Sequence, residues 1–345
     1  KKIGVLVSEL NEEYAKTERP ARQQVINGQK KNIDRKDSYS SIWDKSLKVF
    51  HSLQDDGYNV TKINENNLNN QSTLQQFDTI VFPYSVLMTH KQRQVLKQYV
   101  RDGGGVVFVY AGARNQAETN LWKTSQYDLT PMIYKTESWI WQWDNLSEIF
   151  SSGFVSDNHV TNLKIGKGKS HVITQNAERE LGRPLSFVNT RSNGEWLELS
   201  SPYSGYVVPL LQIEQATPQD GKGQYVQKGK PIALATEYGH GRVVTIGFKM
   251  YDFLDVKTPG VAWRDGAGGA AYSGTQGSED ARVFLNETVN WTAAPVAKPR
   301  VLTYDVKLST TDLKAYASPR GDYVIYGTSH VQNSGDTPVR GTLLT

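Results

Sequence analysis

The chain has 345 residues, enough for two or three domains of ordinary size. Its 39 basic and 35 acidic residues leave a net charge of +4, too thin over such a surface to mark a nucleic-acid footprint. Cysteine is absent, which excludes disulfides, thiolate metal sites, thiol redox chemistry and a cysteine nucleophile.

The opening third alternates strand and helix signals. Ile3 to Val7 is a short apolar run of strand length. From Ile42 to Leu53 the apolar residues recur at helical spacing, and Gly57 stands where a left-handed cap belongs. Tyr58 to Ile63 and Thr79 to Phe82 read as strands, the latter stopped by Pro83. Thr89 is an N-cap candidate for a helix reaching Arg101, ended by Gly103 to Gly105 before a strand at Val106 to Tyr110. Strands separated by helices predict a doubly wound, mostly parallel sheet in an α/β domain.

Residues 112–205 mix strand-like pieces with polar turns and resist ordering. Three strands come next, Tyr206 to Ile213, Ile232 to Glu237 and Arg242 to Phe248, the last two joined by a hairpin-like YGHG turn in which His240 reads as a surface residue. A glycine-rich loop from Tyr251 to Gly277 precedes a helix from Ser278 to Trp291. The domain is expected to span residues 1–294, with an extended linker at 295–299. Residues 300–345 show strands at Val301 to Leu308, Tyr323 to Tyr326 and around Val331, the expected start of an all-β immunoglobulin-like module that stops in mid-strand. The natural protein is expected to continue.

No apolar run reaches the about 18 residues that a membrane helix needs, so no membrane span is expected. The chain opens without a signal-peptide core. Lack of cysteine and abundance of Asn, Gln, Ser and Thr fit an exported bacterial protein at the cell surface or outside it. The six histidines, His51, His90, His159, His171, His240 and His330, have no metal-site spacing. GGG at Gly103 and DGAGG at Asp265 lack the dinucleotide context. No metal and no cofactor is expected.

The stretch FDTIVFPYSVLMTHKQRQVLKQYVRDGGGVVFVYAGAR, with SIWDKSLKVFHSLQDDGYNV before it and KGKPIALATEYGHGRVVTIGF after it, resembles the class I glutamine amidotransferase-like fold. Its nearest type is the non-catalytic trimerisation domain of bacterial β-galactosidases. The resemblance implies an amidotransferase or flavodoxin-like domain and, through the trimerisation type, a homo-oligomer. Active members of that fold carry a cysteine at the elbow after the fourth strand, where this chain has Tyr110, Ala111 and Gly112. Their His-x-Glu pair falls where this chain has Lys249, Met250 and Tyr251. The triad therefore has neither nucleophile nor base.

Two other features bear on function. Trp139, Trp141 and Trp143 alternate in SWIWQWDN, so a strand there puts all three on one face. Such a row stacks on sugar rings, or else packs against the core or a neighbouring subunit. The long connection from Ser8 to Ser40 leaves the first strand beside the crevice where such sheets bind ligands. It reads as a lid, a docking arm or a solvated excursion with a short helix near Ala21 to Asn27. The crevice itself is expected to gather Glu9, Tyr84, Tyr110, Arg114, Lys249, Tyr251 and Asp252. Glu9 with Asp252 or Asp255 forms the weak candidate for an acid/base pair.

The favoured expectation is a non-catalytic recognition or assembly domain, with polysaccharide or a cell-envelope component as partner. A glycan hydrolase working through the crevice carboxylates and a structural spacer of a cell-envelope protein are the alternatives.

Overall fold

Strand β1 (Lys2–Leu6) is buried from Ile3 onward, as a strand covered on both faces must be. The computed structural model describes residues 1–12, 22–26, 29–33, 41–85, 87–110, 115–117, 146, 149, 154–190, 195–199, 206–218, 227–257, 260–264, 268–296, 314–317 and 323–326. Within the connection after β1, β2 (Arg22–Ile26) and β3 (Gln29–Ile33) pair antiparallel. This replaces the short helix expected near residues 21–27. Ile26 pairs with Gln29, and the two residues between them are Asn-Gly, the dipeptide most favoured in two-residue hairpins.

Helix α1 (Ile42–Asp55) starts at Ser41, whose Oγ accepts from the Asp44 amide at 3.1 Å. The chain leaves it through Gly57 at φ +81° and enters β4 (Asn59–Ile63). Then come β5 (Thr79–Phe82), β6 (Leu87–Thr89), α2 (His90–Arg101), β7 (Gly105–Val109) and β8 (Asn115–Ala117), which pairs parallel with β6. Thr89 and Gln92 form a reciprocal capping box on α2.

The region that resisted ordering contains β9 (Phe154–Lys167), α3 (Val172–Leu181), β10 (Ser186–Asn189) and β11 (Glu195–Leu199). Gly182 closes α3 in the left-handed conformation at φ +66°. The remaining elements are β12 (Tyr206–Pro218), β13 (Pro231–Tyr238), β14 (Gly241–Ile246), β15 (Thr275–Gln276) and α4 (Ser278–Thr292). Lastly, β16 (Lys314–Ala317) and β17 (Tyr323–Tyr326) form an antiparallel pair of their own. The strand expected at Tyr323 to Tyr326 is thus present, whereas those at Val301 to Leu308 and around Val331 lie outside the described residues.

One large sheet runs β15-β10-β9-β12-β13-β14-β7-β5-β1-β4, with β11 added to β9. Only β14, β7, β5, β1 and β4 pair parallel; β13 and the strands beyond it are antiparallel. The expected mostly parallel sheet is therefore a mixed one. The cause is the two-residue turn between β13 and β14, since so short a connection can only join antiparallel strands. Tyr238 pairs with Gly241, and Gly239 sits at φ +58° in the first turn position, the geometry of a type II′ hairpin. His240 is exposed there, and its amide donates to the Arg101 carbonyl at 3.0 Å.

Close backbone contact fixes β14 against the end of α2. A Cβ on Gly241 would lie 2.1 Å from the Val100 carbonyl oxygen and 2.4 Å from that of Gly104. Gly241→Ala is expected to destabilise the domain by about 3 kcal/mol or more, read as a lower urea midpoint at unchanged slope.

His171 caps α3, its Nδ1 accepting from the Ile173 amide at 3.2 Å. Its ring meets Trp291 edge-on at 4.9 Å, and Arg242 lies 4.9 Å over the same indole. Burial, then the Arg242 charge, lowers the imidazole pKa from 6.5 to about 4. The unfolded chain thus takes up a proton that the folded one refuses, so stability falls as pH drops from 6.5 towards 4. His171→Asn keeps a capping oxygen, and its thermal unfolding should lose on the order of 2 kcal/mol less than the wild type across that range.

Candidate functional site

From β1 the chain goes out to β4 on one side and returns to β5 on the other. Loops leaving neighbouring strands at such a reversal diverge and open a crevice at the strands' C-terminal ends. Here the segments after β1, β5, β7 and β14 supply the side chains.

A buried polar network ties the first of these segments together. Ser8 Oγ donates to the Glu65 carboxylate, whose Oε1 also accepts from the Leu10 amide at 2.8 Å. Asn11 Nδ2 donates to Ser8 Oγ at 2.8 Å, and Asn11 Oδ1 accepts from the Leu87 amide at 2.7 Å. Gln92 Nε2 closes the circuit on the Glu65 carbonyl at 3.1 Å. Burial raises the Glu65 carboxyl above its ordinary value, against the opposing pull of the hydrogen bonds from Ser8 and Leu10. Next to it, Glu12 accepts from the Trp43 amide at 2.9 Å and from Ser41 Oγ at 3.2 Å, so a carboxylate faces the positive end of the α1 dipole.

The centre of the crevice is aromatic. Tyr110, directly after β7, has φ +44°, a conformation that a bulky residue adopts only when its surroundings enforce it. Its amide donates to the Ile246 carbonyl at 2.7 Å. Tyr84 lies 5.5 Å from Tyr110 and stacks on Tyr251 at 5.7 Å. Lys45 Nζ sits 5.1 Å over Tyr84 and 5.3 Å over Tyr251, and Lys249 Nζ lies 5.2 Å over Tyr110. Both are cation–π distances.

Four of the residues expected in the crevice, Tyr84, Tyr110, Lys249 and Tyr251, are therefore neighbours. They do not form an open cleft: Tyr84 is 9% exposed, Tyr110 1% and Tyr251 0%. Asp252 is half-buried in the turn after Tyr251, Asp255 is exposed, and Glu9 is exposed beside Ser8. Neither a hydrogen bond nor an ion pair joins Glu9 to Asp252 or Asp255 among the described residues. Arg114, Trp139, Trp141 and Trp143 lie outside the described residues. Sequence reasoning missed Lys45, Ser8 and Glu65. Lys45 was legible, because it interrupts the apolar row Ile42, Val49, Leu53 on the inward face of α1.

Among the described residues no group of three or more His, Asp or Glu could hold a metal ion, and no helix is long and apolar enough to cross a membrane. Comparison with known proteins adds the family. The profile described as ThuA, trehalose utilisation, matches residues 25–251, more than half of the chain. The chain belongs to the ThuA family. That places it in the class I glutamine amidotransferase-like fold, and Tyr110 occupies the elbow after β7.

No curated protein matches the chain. Similar solved structures include Gan42B, a GH42 β-galactosidase, at 11% identity and TM-score 0.45, covering 98% of this chain and 39% of that one. A ThuA-like protein from Bacteroides uniformis is 15% identical with TM-score 0.44, covering 84% and 90%. Another from Parabacteroides merdae is 13% identical with TM-score 0.43, covering 73% and 85%. The chain thus spans well under half of the β-galactosidase, and nearly all of the ThuA-like proteins' length.

Glu65 gives this ThuA domain a pH signature. A carboxyl with a raised folded-state pKa holds its proton more tightly in the folded protein, so its contribution is complete below about 4.5 and is lost as pH rises through the folded value. Glu65→Gln keeps an oxygen for Ser8 and Leu10 and cannot ionise. Its denaturant midpoint should exceed that of the wild type at pH 7, with the gap closing as pH falls towards 4.

Proposed function

We propose that this ThuA domain is a non-catalytic recognition or assembly module acting on carbohydrate, within an exported or surface protein of a bacterium. The observation that carries the reading is Tyr110. The turn after β7, which the family resemblance equates with the nucleophile elbow of the fold's enzymes, holds a buried phenol beside Tyr84 and Lys249, with Tyr251 stacked on Tyr84. A phenol 1% exposed, beneath a lysine ammonium and against a second tyrosine ring, is poorly placed to meet a substrate, which supports the non-catalytic reading. The trehalose-utilisation description of the family supports a sugar as the partner class, whether a polysaccharide or a cell-envelope component.

The tryptophan row Trp139, Trp141 and Trp143 supplies the surface in this proposal. Indole faces stack on the C–H faces of pyranose rings, and one row of three spans successive sugars. Self-association into a homo-oligomer would multiply such rows and raise avidity. The hydrolase alternative has less support, because Glu9 and Asp255 are exposed and Asp252 is only half-buried, whereas a carboxyl serving as general acid works from an enclosed apolar setting. Titration of cell-wall and plant-type polysaccharides followed by tryptophan emission tests the proposal. A saturable change is expected, with Trp141→Ala weakening binding by about tenfold, the loss of one stacking contact. Emission that no saccharide alters would overturn it.

A further inference from the structure

The glycine-rich segment after β14 does more than lead to α4. Its described residues fold back over α1 and are pinned at several points. The Tyr272 amide donates to the Asp252 carbonyl at 2.7 Å, and the Val256 amide to the Gly269 carbonyl at 2.7 Å. Lys48, on α1, donates its Nζ to the Ala270 carbonyl at 2.5 Å. A Cβ on Gly269 would stand 1.8 Å from the Val256 carbonyl oxygen, so the strap closes this tightly only with glycine there. Further on, the Thr190 amide holds the Gly274 carbonyl at 2.9 Å.

This strap sets Trp263 and Arg264 against side chains of α1 more than two hundred positions earlier in sequence. Trp43, on the first turn of α1, and Trp263, on the strap, are both half-exposed. Arg264 lies 4.3 Å over the Trp43 ring, and Trp263 meets His51 at 6.2 Å with the rings inclined at 73°. Tyr272, on the same strap, is 51% exposed, one of only two large hydrophobic side chains exposed among the described residues. Arg264 is itself exposed, and among the described residues no carboxylate pairs with it. A guanidinium laid on an indole keeps its N–H edge free, and that planar edge matches a carboxylate in two-point contact.

We propose that Trp43, Trp263 and Arg264 form a binding site for carboxylated sugars, the uronic-acid residues of an acidic polysaccharide. The proposal rests on the carbohydrate reading above, and it adds both a location and a ligand class. Arg264 takes the carboxylate and Trp263 stacks against a pyranose face. Attraction between the arginine and the carboxylate makes the interaction weaken with added salt.

Calorimetric titration of the whole chain with oligogalacturonates, beside neutral galacto-oligosaccharides of equal length, tests this. Binding of the acidic series is expected to exceed that of the neutral one and to decline with salt. Arg264→Gln should weaken it by about tenfold, with unchanged thermal unfolding because the side chain is exposed. Trp263→Ala should act in the same direction. Acidic and neutral sugars bound equally, or oligogalacturonate affinity within about twofold of wild type in Arg264→Gln, would overturn the site. If Trp141→Ala abolishes saccharide binding while Arg264→Gln leaves it intact, the uronate site falls and the carbohydrate function stands. If no saccharide of either kind binds, both fall.

Discussion

Strand β14 lies parallel to β7 with Arg242 opposite Gly105 and Ile246 opposite Val109, and most of the molecule depends on that seam. On one side it continues the parallel ladder of β5, β1 and β4. On the other it turns through Gly239 and His240 into β13 and the antiparallel half. The seam tolerates almost no added volume, since Cβ atoms on Gly105 and Gly241 would each lie close to 2 Å from a backbone oxygen. Helix ends crowd it from both directions, the last turn of α2 through Val100 and the last turn of α4 through Thr292. Registry here also places the segment after β14: Lys249 comes out beside Tyr110 because the two strands end level.

The crevice carries the consequence. Lysine side chains sit on tyrosine rings in a place where water is largely excluded, with Lys45 only 8% exposed. Rings and ammonium groups together fill the space after β5, β7 and β14. The positive φ at Tyr110 is held by its surroundings, its amide tied to the Ile246 carbonyl at 2.7 Å. The proposed recognition role therefore points to outer surfaces, and the strap over α1 presents aromatic side chains on one.

Much of this was readable from local chemistry. Thr89, Gly57, Pro83 and the YGHG turn each mark a boundary by a mechanism confined to a few residues, and each stands where it was expected. Other features escaped for physical reasons. The Asn-Gly between β2 and β3 was a hairpin signal hidden among polar residues that give strands no apolar face. Helix α1 looked amphipathic, yet Lys48 and His51 are buried, because a distant strap covers what a lone helix would expose. Glu65 and Ser8 carry no pattern at all, being joined only where two strand ends meet.

The division between the two sources follows the range of the forces involved. From sequence alone came the α/β alternation of the first third, the caps and turns, and the lack of cysteine. These depend on residue identity and on contacts within a helical turn or a hairpin. Tertiary structure decided that the sheet is half antiparallel, that the crevice is closed by its own tyrosines, and that Trp43 meets Arg264 across the chain. Those depend on which distant surfaces exclude water together, and no local pattern encodes a partner more than two hundred residues away.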